Sequence, residues 1–252
     1  IALAIHLLPD EVIRDGLLEL LDAEHLSGPG DHRLAPGDAA VRITVSRGSL
    51  ERRGTLPPGW EIAHATVAIQ AWAHVPTPTA TLRRGIRAVT SHVHRDPASP
   101  LAGIKATSRA DYVYARLEAE RAGVDDALFL TTDGRVSEAT SANVFVLADD
   151  RLLTPTLGAA ILPGTTRTWL LEHPGVRDLG LQPAAEDLSP DDLVAADEAF
   201  LSSTVAGIVP LVALDGRPVG RGEAGRRTLA LREARERWID EVSLAGRAVP
   251  RP

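Results

Sequence analysis

Residues 111–153 run DYVYARLEAERAGVDDALFLTTDGRVSEATSANVFVLADDRLL. The first eleven, Asp111 to Arg121, are rich in helix formers and lack Gly and Pro, and they predict a helix. Ala127 to Leu130 is a short apolar run that predicts a strand, and Thr132-Asp133-Gly134 predicts a turn. Strands follow near Val144–Leu147 and Arg151–Leu153. One helix and at least three short strands thus mix within about 40 residues.

The same mixture extends downstream. Thr165 to Leu171 predicts a helix opened by Pro163-Gly164, and Ser189 caps a short helix with Pro190 at its first position. Phe200–Ser203 and Ile208–Leu214 predict strands, and Glu223–Val242 a closing amphipathic helix. Upstream, Asp10–His25 has apolar residues at Val12, Ile13, Leu17, Leu18, Leu20 and Leu21, which is helical spacing. Val41–Ser46, Ala65–Val75 and Arg87–His94 predict strands. Arg95–Pro100 (RDPASP) is the best linker by its two prolines and polar residues. Helices and strands alternate without the regular rhythm of a doubly wound sheet. The expectation is therefore α+β (mixed α/β), with a small N-terminal α/β domain over 1–97 and a larger barrel-like domain over 98–252.

Bulk composition limits the function. A chain of 252 residues with 44% apolar and 24% charged residues is ordinary for a globular protein. A net charge of -7 argues against a nucleic-acid partner. No stretch approaches the ~20 consecutive apolar residues of a membrane span. With no Cys, disulfides and thiolate metal sites are excluded, and a cytoplasmic location is expected. There is no Met either, and the chain begins Ile1-Ala2-Leu3; the expectation is that residues preceding Ile1 are missing.

Lys105 is the only lysine, every other Lys or Arg position being Arg. A primary amine can form a Schiff base where a guanidinium cannot. It sits in Gly103-Ile104-Lys105-Ala106-Thr107-Ser108-Arg109, between a predicted strand and the helix from Asp111. Three further segments stand out. Glu138 ends a short strand and enters a loop of small hydroxylated residues, SEATSAN (137–143). Leu162-Pro163-Gly164-Thr165-Thr166-Arg167 is a glycine turn opening a helix, whose free N–H groups suit a phosphate. Leu201-Ser202-Ser203-Thr204-Val205-Ala206-Gly207 adds more hydroxyls. An amine, a carboxylate and an anion cup are what pyridoxal 5′-phosphate needs, for its aldehyde, ring nitrogen and phosphate.

In that order the segments GIK, SEATSANVF, ILPGTTR and LSSTVAGIVP, between Leu101 and Val209, resemble the class IV aminotransferases. These are the fold-type IV pyridoxal-phosphate enzymes, among them branched-chain and D-amino acid aminotransferases and aminodeoxychorismate lyase. The resemblance extends loosely to VRITVSRG at Val41–Gly48. It implies a small α/β domain joined to a larger pseudo-barrel, a homodimer, an amino donor and a 2-oxo acid acceptor. It implies that Lys105 holds the cofactor and moves protons, and that Glu138 pairs with the ring nitrogen. Thr166 and Thr204, with the backbone amides of Thr165 and Ser203, would bind the phosphate. The resemblance also implies a phosphate-binding arginine, expected ahead of residue 1. Branched-chain enzymes place a tyrosine five residues after the lysine; here that position is Ala110. Arg109 precedes it, an arrangement closer to some aminodeoxychorismate lyases.

The implied activity is amino-group transfer. The alternatives are the lyase, which forms 4-aminobenzoate and pyruvate, and a non-catalytic ligand-binding relative. Arg109 and Arg47 are the candidates for a substrate carboxylate, Arg47 lying with Arg52 and Arg53 in a loop that solvation explains equally well. Tyr112 and Tyr114 fit either helix packing or the pocket. His92 and His94 alternate on one strand without a third ligand, so no metal is expected. Trp60, Trp72, Trp169 and Trp238 are assigned to core or interface.

Overall fold

The computed structural model describes residues 9–26, 39–46, 48 and 65–247. The chain divides into two compact units, Ile1–Pro76 and Thr77–Pro252. The sequence expectation sets the division at residue 97 instead. The difference arises because the strand before Asp96 is built into the second unit's sheet, so Arg95–Pro100 does not separate the two units.

In the first unit, α1 (Asp10–Ala23) packs against a two-stranded ribbon. Its strands β1 (Ala39–Ser46) and β2 (Thr66–Ala73) are antiparallel, with Ile43 opposite Ile69. Arg52, Arg53 and Trp60 lie outside the described residues.

The second unit runs α2 (Thr79–Arg84), β3 (Ile86–Arg95), α3 (Ala110–Arg121), β4 (Asp126–Thr131), β5 (Val136–Ala139), β6 (Asn143–Ala148) and β7 (Arg151–Thr154). A single 3-10 turn at Leu157–Ala159 leads to α4 (Thr165–Glu172), α5 (Pro174–Arg177), β8 (Gln182–Ala185) and α6 (Pro190–Ala195). Then come β9 (Glu198–Ser203), β10 (Gly207–Leu214), β11 (Arg217–Pro218) and α7 (Arg226–Arg247). The short elements α2, α5, β8 and β11 have no counterpart in the sequence reading. None exceeds six residues, too few for a periodic pattern to emerge. Ser189 caps α6 through a capping box with Asp192, as the sequence predicts.

The sheet order is β5-β4-β3-β10-β9-β6-β7-β8, with β11 on β10. Pairs β3–β4, β3–β10 and β7–β8 are parallel. Strands β5 and β6 stand far apart in that order, yet only residues 140–142 join them, closed by Ala139 N–H donating to Ala142 O at 2.8 Å. The sheet therefore curls until its first and sixth strands meet, as a half-barrel.

Both faces of the curl are covered, which explains the nearly unbroken apolar runs of its central strands. Side chains alternate along each strand. From β6, Val144 and Val146 join one buried cluster with Leu201, Leu211 and Leu193. Phe145 and Leu147 face the other way, into a cluster with Phe200, Trp169, Leu170 and Leu231. Helix α3 lays Tyr112, Ala115 and Ala119 on Ala127 and Phe129 of β4. Among the described residues no helix is long and apolar enough to cross a membrane.

Candidate active site

Strand register brings three of the marked segments, 137–143, 162–167 and 201–207, to one rim of the curled sheet. Strands β6 and β9 are antiparallel with Asn143 opposite Ser202, so the start of β6 and the end of β9 are neighbours. Asn143 Nδ2 donates to Leu162 O at 2.9 Å, fastening the Leu162–Gly164 turn to that rim. Gly164 is required there by close approach, since a Cβ would lie 2.2 Å from Asn143 Oδ1. The turn feeds directly into α4 at Thr165.

Two contacts join α4 to the end of β9. Thr165 and Thr204 hydroxyls are 3.1 Å apart, and Thr166 Oγ1 donates to Ser203 O at 3.1 Å. Thr166 is buried and its hydroxyl is spent on that carbonyl, whereas Thr165 and Thr204 are exposed. The Ser203 hydroxyl accepts from Ala206 N–H at 3.2 Å and shapes the following turn. No side chain caps α4 at Gly164, so the first-turn N–H groups remain available to an anion. In α6 the corresponding groups are taken up by its capping box.

Glu138, in β5, is 3% exposed. Its Oε1 accepts from Tyr112 Oη at 2.8 Å and its Oε2 from Leu162 N–H at 2.9 Å. The same Leu162 thus ties Glu138 to the turn that opens α4. Burial pushes the Glu138 carboxyl above the usual carboxylate range, opposed by those two hydrogen bonds and by Arg95 and Arg109. Burial likewise pushes the Tyr112 phenol up, with Glu138 adding to the effect.

Tyr112 stands edge-on to Phe129, with ring centroids 5.1 Å apart. Arg109 Cζ lies 3.7 Å from its ring centroid and Arg95 Cζ 4.9 Å. Arg109 also donates to Thr140 O at 2.9 Å, on the loop after Glu138. Arg95 pairs with Asp111 at 2.9 Å and donates to Ala102 O at 3.2 Å. Lys105 is exposed and lies between two anchored points, Ala102 and Arg109, three and four residues away. Its side chain makes no hydrogen bond or ion pair with another described residue.

Glu138, Thr165, Thr166, Ser203 and Thr204 thus share one rim, with Arg109 beside them. Arg47 lies outside the described residues. Sequence reasoning left Tyr112 open between packing and pocket and read Arg95 as linker. The signal for Tyr112 was its place in the first turn of the helix after Lys105, but nothing local showed which way that turn faces. Tyr114 is exposed. His92 pairs with Glu118 at 2.8 Å, and His94 Nδ1 lies 3.1 Å from His92 O.

The profile of the family described as amino-transferase class IV matches residues 8–214. A Methanocaldococcus jannaschii protein, named provisionally as a branched-chain-amino-acid aminotransferase, is 33% identical over 201 residues, 78% of this chain and 66% of its own length. The chain spans less than two thirds of the length of this and the next curated relatives it matches. The crystal structure of the Escherichia coli branched-chain amino acid aminotransferase superposes with a TM-score of 0.78 at 25% identity, covering 91% of this chain and 71% of that one. The corresponding enzyme from T.th., complexed with N-(5′-phosphopyridoxyl)-L-glutamate, gives 0.76 at 27% identity over 91% and 70%.

Proposed function

We propose, from the premise that this chain belongs to the class IV aminotransferase family, that its rim site binds pyridoxal 5′-phosphate and transfers an amino group from an amino acid or related amine to a 2-oxo acid. The observation that carries this reading is the buried Glu138 carboxyl, held by two donors beside an uncapped helix N-terminus. Each Glu138 oxygen accepts one hydrogen bond in the described structure, leaving lone pairs for the N–H of a protonated pyridine. The α4 amides with the exposed hydroxyls of Thr165 and Thr204 suit the phosphate. The donor set fits the cofactor.

Bound there, pyridoxal phosphate supplies an electron sink for charge developing at the substrate's α-carbon. Lys105 Nζ, exposed and without a competing partner among the described residues, is the amine for its aldehyde and the group that carries a proton during transfer. Glu138 keeps a proton on the ring nitrogen. Thr166 holds α4 against β9, so the phosphate amides keep their position. Arg109 spends one donor on Thr140 O and has others for a substrate carboxylate. A homodimer in the cytoplasm completes the reading, testable by sedimentation and by fractionation.

The first test is spectroscopic. Full-length protein with added pyridoxal phosphate should show a visible absorbance band that Lys105→Ala abolishes. A colourless wild type rules the reading out in favour of a non-catalytic relative. Substrate scope is then tested across L-amino acids, D-amino acids and (R)-amines, branched-chain L-amino acids first because of the relatives' names.

A second reading, aminodeoxychorismate lyase, is favoured by one observation: Arg109 approaches the Glu138 loop, and Ala110 stands where branched-chain enzymes carry a tyrosine. Release of pyruvate and 4-aminobenzoate from the chorismate-derived substrate, without an added keto acid, selects the lyase.

A further inference from the structure

We infer that Tyr112 is a positioning residue that holds the Glu138 carboxyl in its charged form and fixes which of its lone pairs face the ring nitrogen. The inference rests on the cofactor reading above. A buried carboxylate is costly unless hydrogen-bonded, and burial pushes the Glu138 carboxyl toward its protonated form against the hydrogen bonds it accepts. Among the described residues only two groups donate to it, the Leu162 amide and the Tyr112 hydroxyl. The amide belongs to the turn that opens α4 and is indifferent to side-chain identity. The hydroxyl is therefore the donor the sequence can tune.

The surroundings of Tyr112 suit that task. Its ring stands edge-on to Phe129 and shares one buried cluster with Ala115 and Ala119 of its own helix. Two guanidiniums, Arg109 and Arg95, lie over the ring. They draw electron density from the phenol and strengthen its O–H as a donor. Neither is spent on Glu138: Arg109 bonds Thr140 O, and Arg95 bonds Asp111 and Ala102 O. The charged and titratable groups bearing on Glu138 are thus Tyr112 from α3, Arg109 just ahead of it and Arg95 from β3. Tyr112 remains protonated where Glu138 ionises, because burial and the adjacent carboxylate push the phenol up. The pair therefore has one proton, on the phenol, donated toward the carboxylate.

Tyr112→Phe keeps the ring and removes only the hydroxyl. The Glu138 titration midpoint, followed by carboxyl NMR on full-length protein without cofactor, should rise by about one pH unit, about tenfold in proton affinity. With pyridoxal phosphate bound, the low-pH limb of the visible absorbance should move up by a similar amount while the band itself survives. Glu138→Gln should erase the difference between Tyr and Phe at position 112, as a paired interaction requires. A band whose pH profile and Glu138 midpoint are unchanged in Tyr112→Phe overturns the role of Tyr112 and leaves the cofactor reading intact. If Tyr112→Phe unfolds, the wild type decides the point: the Tyr112 ring resonances should shift with pH along the Glu138 midpoint, as a hydroxyl donating to that carboxyl requires, and Tyr112 signals flat across the midpoint overturn the role. No visible band in the wild type overturns the cofactor reading and this inference together.

Discussion

At the scale of single residues, the site depends on contacts with no slack. Asn143 holds Leu162 O, and Gly164 lies so close to Asn143 that any side chain would push it away. Leu162 N–H in turn serves Glu138. Gly164→Ala should therefore weaken pyridoxal-phosphate binding about tenfold or more, measured by fluorescence titration. It should also lower stability by about 1–3 kcal/mol, as overpacking does. The residues proposed to carry the chemistry stand out in the sequence because each is marked by its own type: a lone lysine, a glutamate among small residues, threonines after a glycine turn. Tyr112 and Arg95 were not. A tyrosine in a helix and an arginine beside two prolines have ordinary surface readings, and only their placement against Glu138 and Asp111 changes them.

Between elements, short connections are pinned by side chain to backbone bonds. Asp125 receives both Nη atoms of Arg84 at 2.9 and 2.7 Å and the Arg87 amide at 2.9 Å. It joins the end of α2 to the start of β3 and the turn into β4. The Arg84 hydrogen bonds hold its carboxyl below the ordinary value of 3.8, despite partial burial. A lowered folded-state pKa stabilises the fold above pH 3.8, and that contribution is lost as pH falls through the lower folded value. The pair is partly open to solvent, with Arg84 51% exposed. Asp125→Ala should therefore cost only about 1 kcal/mol at pH 7 and progressively less as the pH falls below 3.8, measured by urea unfolding at each pH. Arg232 of α7 likewise donates to Ala206 O and Ile208 O, bracing the turn after Thr204. Long elements were legible because periodicity accumulates over their length. Short elements were legible only where an apolar run or a cap marks them, as in β4, β7 and α6, and α2, α5, β8 and β11 were not read.

Across the whole second unit, stability resides in a sheet buried on both faces. Phe145 and Phe200 are cross-strand partners, stacked 5.1 Å apart and fully buried. Phe200→Ala should destabilise by about 3–5 kcal/mol, lowering the denaturant midpoint while leaving the slope of the transition unchanged. The curl that makes this core also makes the site, since β5 must return to β6 within three residues and carries Glu138 to the rim where β9 ends. The order of the longer helices and strands, the family, and the residue types proposed to hold pyridoxal phosphate could be read from the chain alone. They follow from local propensity and from side-chain chemistry, which travel with each residue. Folding added that the division falls at Pro76 rather than at residue 97, and that Tyr112 donates to Glu138. Strand order and burial are set by contacts between residues far apart in the chain, and so is the charge state of a buried carboxyl.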